Sequence, residues 1–282
     1  MSQVLHGVLF GHGHMGQLHA SKIASRSDVT LDIIDPKQGL TTKTTEQPDF
    51  AIVATPTFAH ADIALPLLKS GVPCLVEKPL TNNIKHAEMM AKHPHLSVGH
   101  IERYNPVFQV IDNAKPEYIE AERLAKNKGR SQDIDVIGDL MIHDLDLLLK
   151  YMPGTISDVR AKGVGIMGSL PDLVNARIEI TMHTGRTGVA NLTASRVSSV
   201  DMRTWRLFEP GRYWSLDLKN QTGKAIAWPD TPLPVSIDAA DPLTAEHDAF
   251  FDAVRGHHPF PCNGHEALQA LHLAERIRQC LR

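Results

Sequence analysis

The sequence predicts an α/β protein in which a doubly wound parallel sheet is followed by an α+β domain with a mostly antiparallel sheet. Up to about residue 115, short β-branched segments alternate with helical segments, which is typical of a parallel sheet covered on both faces. Beyond that point, apolar segments follow one another with only turn residues between them, which indicates antiparallel pairing. The 282 residues, 42% hydrophobic and 22% charged, are enough to bury a sizeable core.

Five short segments of strand-forming residues organise the first part of the chain. We predict strands at residues 4–10, 29–34, 50–54, 72–76 and 96–99, and helices directly after the first strand, at 61–70 and at 83–92. The connection between Asp35 and Asp49 is short and has almost no apolar face. Since a crossover needs about 10–12 residues including its helix, we expect the second helix to be reduced or absent.

Consecutive strands characterise the rest of the chain. We predict strands at residues 118–125, 156–166, 173–183, 188–195, 202–209 and 213–218, and helices at 136–151, 243–255 and 265–281. Residues 229–242 carry four prolines and are predicted to be a loop. An antiparallel sheet with one uncovered face favours pairing with another copy, so we expect a homo-oligomer, either a dimer or a tetramer.

Charge and cysteine content exclude several classes of function. With 29 Lys and Arg against 32 Asp and Glu, the net charge is −3. The sequence therefore lacks the excess of positive charge that is typical of proteins that bind nucleic acid or anionic membranes. The three cysteines, Cys74, Cys262 and Cys280, form no CxxC pair and indicate a reducing compartment. No leader-like segment and no long apolar stretch occurs, so we expect a cytoplasmic protein without membrane insertion.

A glycine motif follows the first predicted strand and opens the first predicted helix. Gly11 permits a tight turn, Gly13 lets the backbone approach a pyrophosphate, and Gly16 lets helix and strand pack closely. Asp35 lies 19 residues after Gly16, where a carboxylate accepts hydrogen bonds from ribose hydroxyls and repels a 2′-phosphate. The pattern predicts a Rossmann-type dinucleotide-binding domain at residues 1–115 and favours NAD over NADP, although Lys37 could offset Asp35.

Three histidines lie in or beside this motif and invite a metal interpretation. His12, His14 and His19 have no thiolate nearby and no carboxylate before Asp28, so they offer no closed ligand set. We expect them instead to line the crevice that holds the pyrophosphate. We predict no metal site here.

Several further segments resemble one known family, the Gfo/Idh/MocA-type oxidoreductases, which are NAD(P)-dependent sugar and cyclitol dehydrogenases. The resemblance covers nearly the whole chain and includes residues 11–16, 54–57 with His60, 77–79, 103–106 and 139–146. It implies a substrate and oligomerisation domain at residues 116–282. Together with Asp35, the segments that match the family give the residues predicted to bind the cofactor. They are Gly11, His12, Gly13, His14, Met15, Gly16, Asp35, Thr55, Pro56, Thr57, His60, Glu77 and Lys78.

Within this family, residues 135–147 are most similar to UDP-N-acetylglucosamine 3-dehydrogenases, and residues 99–106 point the same way. The resemblance implies oxidation of the sugar 3-hydroxyl to a ketone. An aminotransferase would then convert the ketone to an amine for lipid A or another surface glycan. Two alternatives stay open: another NAD(P)-dependent sugar or cyclitol dehydrogenase, and an NAD-binding regulator without catalytic activity.

Oxidation of a secondary alcohol needs a base for the hydroxyl proton and a cation near the oxygen. Lys78 follows a predicted strand, where ligands bind in open α/β sheets, and its ammonium could stabilise the alkoxide. His143 titrates in the useful range, and Asp139, four residues earlier, would share its helix face. We predict His143 as acid and base, Lys78 as electrostatic partner and Asp139 as orienting residue, with the roles of Lys78 and His143 exchangeable.

Alternatives exist for each of these side chains. A divalent metal at Asp139, His143, Asp144 and Asp146 is conceivable, but nicotinamide-dependent oxidation needs none, so we predict no metal. Arginine suits the diphosphate of a nucleotide sugar. The predicted substrate contacts are Arg103, Tyr104, Asn105, Arg130, Asp139 and His143. For Arg103 a structural ion pair, and for Arg130 a solvated loop, are equally compatible with the sequence.

Overall fold

The computed structural model describes residues 4–40, 47–111, 113–126 and 134–281. The chain forms two compact units. One comprises Met1–Ile101 and Asp241–Leu271, and the other comprises Glu102–Ala240 and His272–Arg282. In the described ranges, no helix is long and apolar enough to cross a membrane.

The first unit contains a five-stranded parallel sheet whose strands run in the order β2-β1-β3-β4-β5. Its strands are β1 (Leu5–Phe10), β2 (Val29–Ile34), β3 (Phe50–Val53), β4 (Cys74–Glu77) and β5 (Leu96–Gly99). Its helices are α1 (His14–Ala24), α2 (His60–Lys69) and α3 (Ile84–Ala91), together with α5 (Pro242–Val254) and the start of α6 (Gly264–Cys280). Because the strand order reverses beside β1, the carboxyl ends of β1 and β3 border the crevice where such sheets bind ligands.

In the described part of the connection after β2, a single turn stands where a helix usually follows the second strand. Residues Pro36–Gln38 form one 3₁₀ turn, and Asp35 then pairs with Leu40 as a short antiparallel bridge. The predicted reduction of the second helix is confirmed for the described part of this connection. The turn sends the chain back toward the glycine motif.

Two C-terminal segments belong to the first unit, which differs from the predicted division at residue 115. Helix α5 supplies Phe250 and Phe251, whose rings lie 6.0 and 5.0 Å from that of Phe50 in β3. Helix α6 contributes Ala267 and Leu271 to the core on β3, β4 and β5. The parallel sheet needs apolar cover on both faces, and part of that cover comes from the end of the chain.

The second unit is built on an eight-stranded sheet in the order β13-β12-β11-β10-β6-β9-β8-β7, in which only the β6·β9 pair is parallel. The strands are β6 (Tyr118–Leu124), β7 (Gly154–Val164), β8 (Leu173–Met182), β9 (Thr187–Ser195), β10 (Met202–Glu209), β11 (Arg212–Asp217), β12 (Thr222–Ala227) and β13 (Thr231–Leu233). A π-helical turn, Ile137–Met141, leads directly into helix α4 (Ile142–Tyr151). The predicted fold class, a parallel sheet followed by a mostly antiparallel one, is confirmed.

The sequence did not predict β12 and β13, the last two strands of this sheet in chain order. Strand β12 pairs with β11, and β13, which lies inside the predicted loop 229–242, pairs only with β12. Prolines are tolerated on an edge strand because its outer N–H groups need no ladder partner. A proline-rich segment can therefore still form the edge strand of a sheet.

Candidate functional site

The glycine loop between β1 and α1 leaves the start of that helix open. Gly11 has φ +88°, and a Cβ there would lie 2.7 Å from the Ala54 carbonyl oxygen. A Cβ on Gly16 would lie 2.0 Å from the Gly11 carbonyl oxygen, so both positions require glycine. A Cβ on Gly13 would meet nothing within 4 Å. The free space at Gly13 and the helix dipole together suit a pyrophosphate.

The first turn of α1 offers free donors for that anion. Gly13 is the N-cap, no side chain caps the helix, and its first turn holds no acidic residue. The helix therefore keeps its N-terminal N–H groups available for a ligand. Of the predicted loop residues, His14 is exposed, and His12 and Met15 are half-buried.

Asp35 closes the other side of the loop. Its carboxylate accepts hydrogen bonds from the backbone N–H groups of His12 (2.8 Å) and Lys37 (3.1 Å). Gln38 donates to the His12 carbonyl oxygen (2.9 Å), and its Oε1 lies 3.2 Å from His12 Nδ1. Sequence reasoning missed Gln38, whose position follows from the short turn after β2. Each Asp35 oxygen keeps a lone pair for a ribose hydroxyl.

His60 ties together the loops that follow β3 and β4. Its Nε2 lies 2.8 Å from the Thr55 carbonyl oxygen, and its Nδ1 lies 3.1 Å from that of Pro79. Burial lowers the pKa of His60, and the surrounding carbonyls oppose that shift. Of the neighbouring predicted residues, Pro56 is exposed and Thr57 is buried. His60 thus fixes the turn that carries Lys78, which is half-buried.

Glu77, assigned to cofactor binding by the family motif, points inward instead. Its Oε1 lies 3.0 Å from His19 Nε2, and its Oε2 accepts the backbone N–H of Lys78 at 3.1 Å. Burial alone would raise the pKa of Glu77, but the hydrogen bond from His19 and the charges of His19 and Lys78 hold it below its ordinary value. Both oxygens are engaged inside the protein, and only 6% of the residue is exposed.

His19 does not line the crevice as predicted, because it lies on the inner face of α1 and is fully buried. Its Nδ1 lies 2.8 Å from Nε2 of His247, which belongs to α5. Sequence reasoning missed His247 altogether. Apart from the helical pattern around it, the sequence carries no signal that links this residue to β4.

In the second unit, one ion pair joins α4 to strand β6 of the large sheet, and another joins α4 to Arg103, which lies outside the sheet. Asp144 accepts two hydrogen bonds from Arg123, both 2.8 Å, and a third from the Trp205 indole at 2.9 Å. Asp146 pairs with Arg103 through two hydrogen bonds of 2.6 Å. The geometry supports the structural alternative for Arg103. Asp144 serves as a counter-charge of Arg123, and Asp146 serves as a counter-charge of Arg103.

Asn105, predicted as a substrate contact, is engaged within the protein. Its amide donates to Glu102 (3.1 Å) and to the Leu218 carbonyl oxygen (2.8 Å), and its Oδ1 accepts the Val107 N–H (3.3 Å). These bonds occupy the donors of the amide, so Asn105 serves as an anchor for its segment. Tyr104 is half-buried, and Arg130 lies outside the described residues.

Asp139 and His143 flank the junction between the π-helical turn and α4. Asp139 is half-buried inside the π-helical turn, and His143 is buried in the first turn of α4. Because i→i+5 bonds close a wider turn, a spacing of four no longer guarantees the shared face that an α-helix would give. Asp135 anchors the turn, since it pairs with Arg278 and accepts the Gly138 N–H. Such π-helical turns are frequent at functional sites.

Comparisons with known proteins agree with this geometry. A family model described as "Oxidoreductase family, NAD-binding Rossmann fold" matches residues 19–95. UDP-N-acetylglucosamine 3-dehydrogenase of Acidithiobacillus ferrooxidans is 35% identical, over 96% of this chain and 95% of its own. A solved structure of that enzyme has a TM-score of 0.87 at 34% identity and covers 100% of this chain and 98% of its own.

More distant solved structures share the fold alone. An oxidoreductase from Agrobacterium radiobacter, solved in complex with NAD⁺, L-tartaric acid and magnesium, has a TM-score of 0.82 at 15% identity and covers 99% of this chain and 96% of its own. A myo-inositol dehydrogenase from Corynebacterium glutamicum has a TM-score of 0.76 at 19% identity, with 99% and 96% covered.

Proposed function

The chain belongs to the Gfo/Idh/MocA family of NAD-binding oxidoreductases, and we propose that it oxidises the 3-hydroxyl of UDP-N-acetylglucosamine with NAD. The observation that carries this proposal is the similarity to a UDP-N-acetylglucosamine 3-dehydrogenase, which extends over nearly the full length of both chains. The open glycine loop adds an independent physical argument, because its geometry suits a dinucleotide pyrophosphate.

The first unit supplies the groups that would hold the cofactor. The N–H groups at the start of α1 and the space at Gly13 suit the pyrophosphate. Asp35 would accept the adenosine ribose hydroxyls, and its negative charge favours NAD over NADP. When bound, NAD takes up a hydride from the carbinol carbon of the sugar. Lys78 directly follows β4, at the carboxyl end of the parallel sheet where such folds bind ligands.

Three residues receive the chemical roles in this proposal. Lys78 stabilises the negative charge that develops on the sugar oxygen, and His143 takes the hydroxyl proton. Asp139 orients His143 or binds a sugar hydroxyl. The exchanged assignment, in which Lys78 takes the proton, is tested by the pH dependence of kcat in Lys78 and His143 variants. Tyr104 and Arg130 remain candidates for contacts to the nucleotide sugar.

The decisive experiment incubates the protein with NAD and a panel that contains UDP-N-acetylglucosamine, UDP-N-acetylgalactosamine, UDP-glucose and myo-inositol. We expect the absorbance of the reduced cofactor to rise fastest with UDP-N-acetylglucosamine, and NMR of the product to locate a ketone at C3. Faster turnover of myo-inositol would favour a cyclitol dehydrogenase. NAD binding without turnover of any compound would favour a regulator.

The remaining features of the proposal concern localisation, oligomeric state and the use of the product, and only the last of them comes from the family resemblance. We propose a cytoplasmic homo-oligomer, a dimer or a tetramer, whose 3-keto product a sugar aminotransferase consumes for lipid A or another surface glycan. Light scattering of the purified protein tests the oligomeric state. Addition of a sugar aminotransferase and its amino donor should increase the yield of reduced cofactor if removal of the ketone drives the reaction.

A further inference from the structure

A chain of buried polar side chains runs through the first unit, from the end of β4 through α1 to α5. Glu77 contacts His19, and His19 contacts His247, with the distances of 3.0 and 2.8 Å given above. The exposed fractions of Glu77, His19 and His247 are 6%, 0% and 1%. The family motif includes Glu77, but nothing in it reaches His247. Glu77 precedes Lys78 in the sequence and accepts a hydrogen bond from its backbone. This series of side-chain contacts therefore ends beside a residue with a proposed chemical role.

The charge of Glu77 fixes the direction of its hydrogen bond with His19. An ionised carboxylate only accepts, so His19 Nε2 must carry the proton that it donates to Glu77 Oε1. His19 Nδ1 and His247 Nε2 form the next hydrogen bond, in which the ring nitrogen that carries the proton donates to the other. The other carboxylate oxygen of Glu77 receives the Lys78 backbone N–H. Each oxygen of Glu77 thus has its own donor, and the carboxylate has one preferred orientation.

His247 is poorly suited to carry a proton along this chain. Burial first, and then the positive charges of His19 and Arg26, lower the pKa of His247 to about 3. That ring is therefore a poor site for a second proton. The series of contacts is better suited to positioning groups than to conducting protons.

Glu246, the neighbour of His247 on α5, is a second buried carboxyl in this region. Its carboxyl is 1% exposed, and neither oxygen has a hydrogen-bond partner in the described part of the chain. Burial, and then the negative charge of Glu77, raise the pKa of Glu246 well above its ordinary value. The negative charge that acts on Lys78 in this region is that of Glu77, whose Oε2 also accepts the Lys78 backbone N–H.

We propose that His247, acting through His19, is a positioning residue that fixes the Glu77 carboxylate and thereby the backbone and side chain of Lys78. The inference rests on the proposed function, because it assigns Lys78 a part in the reaction. It adds that α5, far along the chain from the nucleotide-binding motifs, sets the geometry of the Lys78 turn. His247 itself contacts neither cofactor nor substrate in this proposal.

The test compares three variants of the full chain. His247→Phe removes the hydrogen-bonding nitrogen but keeps a ring, whereas His247→Gln keeps a polar amide near the position of Nε2. Phe250→Leu, on the same helix, perturbs the core but removes no hydrogen bond of His19 or His247, so it is the control for loss of stability. The first readout is the rate at which acetic anhydride labels Lys78, followed by peptide mass spectrometry. The second is the separation of kcat from the KM for NAD.

In His247→Phe, we expect the labelling rate of Lys78 to change several-fold and kcat to fall about tenfold, with the KM for NAD within about twofold. His247→Gln and Phe250→Leu should both stay close to the wild-type values. The proposal is overturned if His247→Phe labels like the wild type, or if Phe250→Leu changes Lys78 labelling equally. The labelling readout needs no substrate, so it remains decisive even if UDP-N-acetylglucosamine is not oxidised.

Discussion

The buried carboxyl of Glu246 gives the sharpest quantitative test of the electrostatics of the first unit. Its pKa is raised above the ordinary 4.5 by burial and by the charge of Glu77. Above that ordinary value, the unfolded chain therefore releases a proton that the folded chain still holds. The free energy of unfolding must fall as the pH rises toward the folded-state pKa, by about 1.4 kcal/mol per pH unit for one proton.

His247 contributes with the opposite sign. Burial lowers the pKa of His247 to about 3 from the ordinary 6.5. Below about pH 6.5, the unfolded chain therefore binds a proton on this ring that the folded chain does not bind. The free energy of unfolding then rises with pH over that range. Because the wild-type curve mixes both effects, only the difference between the wild type and a Glu246 variant isolates this carboxyl.

Glu246→Gln removes the titrating group and preserves its shape. We expect the stability of this variant relative to the wild type to increase by about 1.4 kcal/mol per pH unit between about pH 5.5 and the folded-state pKa of Glu246. Urea unfolding followed by far-UV circular dichroism measures this difference. Glu88→Gln, at an exposed position of α3, is the matched control for removal of one acidic group. A difference between Glu246→Gln and the wild type that does not vary with pH would refute the reasoning.

Three further outcomes test the assigned roles. Lys78→Ala should lower kcat by about 10²-fold or more, whereas Lys85→Ala, exposed on α3, should not; equal kcat values would remove Lys78 from the mechanism. Asp35→Ala should shift the ratio of kcat/KM for NAD and NADP toward NADP, and an unchanged ratio would mean that the ribose is read elsewhere. Asp144→Ala should lower the free energy of unfolding by about 3–5 kcal/mol in urea, because Arg123 loses a buried counter-charge; a loss below about 1 kcal/mol would contradict this.

The fold was predictable where local pattern and tertiary structure agree. Alternating strands and helices specify a parallel sheet, and the five predicted strands of the first unit all form. The short connection after Asp35 correctly predicted that the helix is reduced, to one 3₁₀ turn in the described part of the connection. Strands β12 and β13 were missed because an edge strand needs neither a long apolar run nor freedom from proline.

The glycine loop was predictable because its chemistry is contained in a few consecutive residues. Gly11 and Gly16 are required by contacts within the loop and with the neighbouring strand end. Charged residues of the second unit were harder to assign, since a lone arginine in a sequence fits a phosphate and a buried carboxylate equally well. Arg103 forms an ion pair with Asp146, 43 positions later in the sequence. This partner supports a structural role for Arg103.

The environment of Lys78 could be predicted only in part from the sequence. The motif that contains Glu77 and Lys78 is local, but the groups that orient Glu77 come from α1 and α5, and His19 and His247 lie 228 positions apart. A buried histidine is unremarkable until its partner is known, because either ring nitrogen can donate or accept. Once Glu77 is ionised, however, His19 Nε2 must be the donor to it, which fixes one end of this series of contacts. The charge on one carboxylate, rather than any motif around His247, therefore gives this distant helix its influence on the turn that carries Lys78.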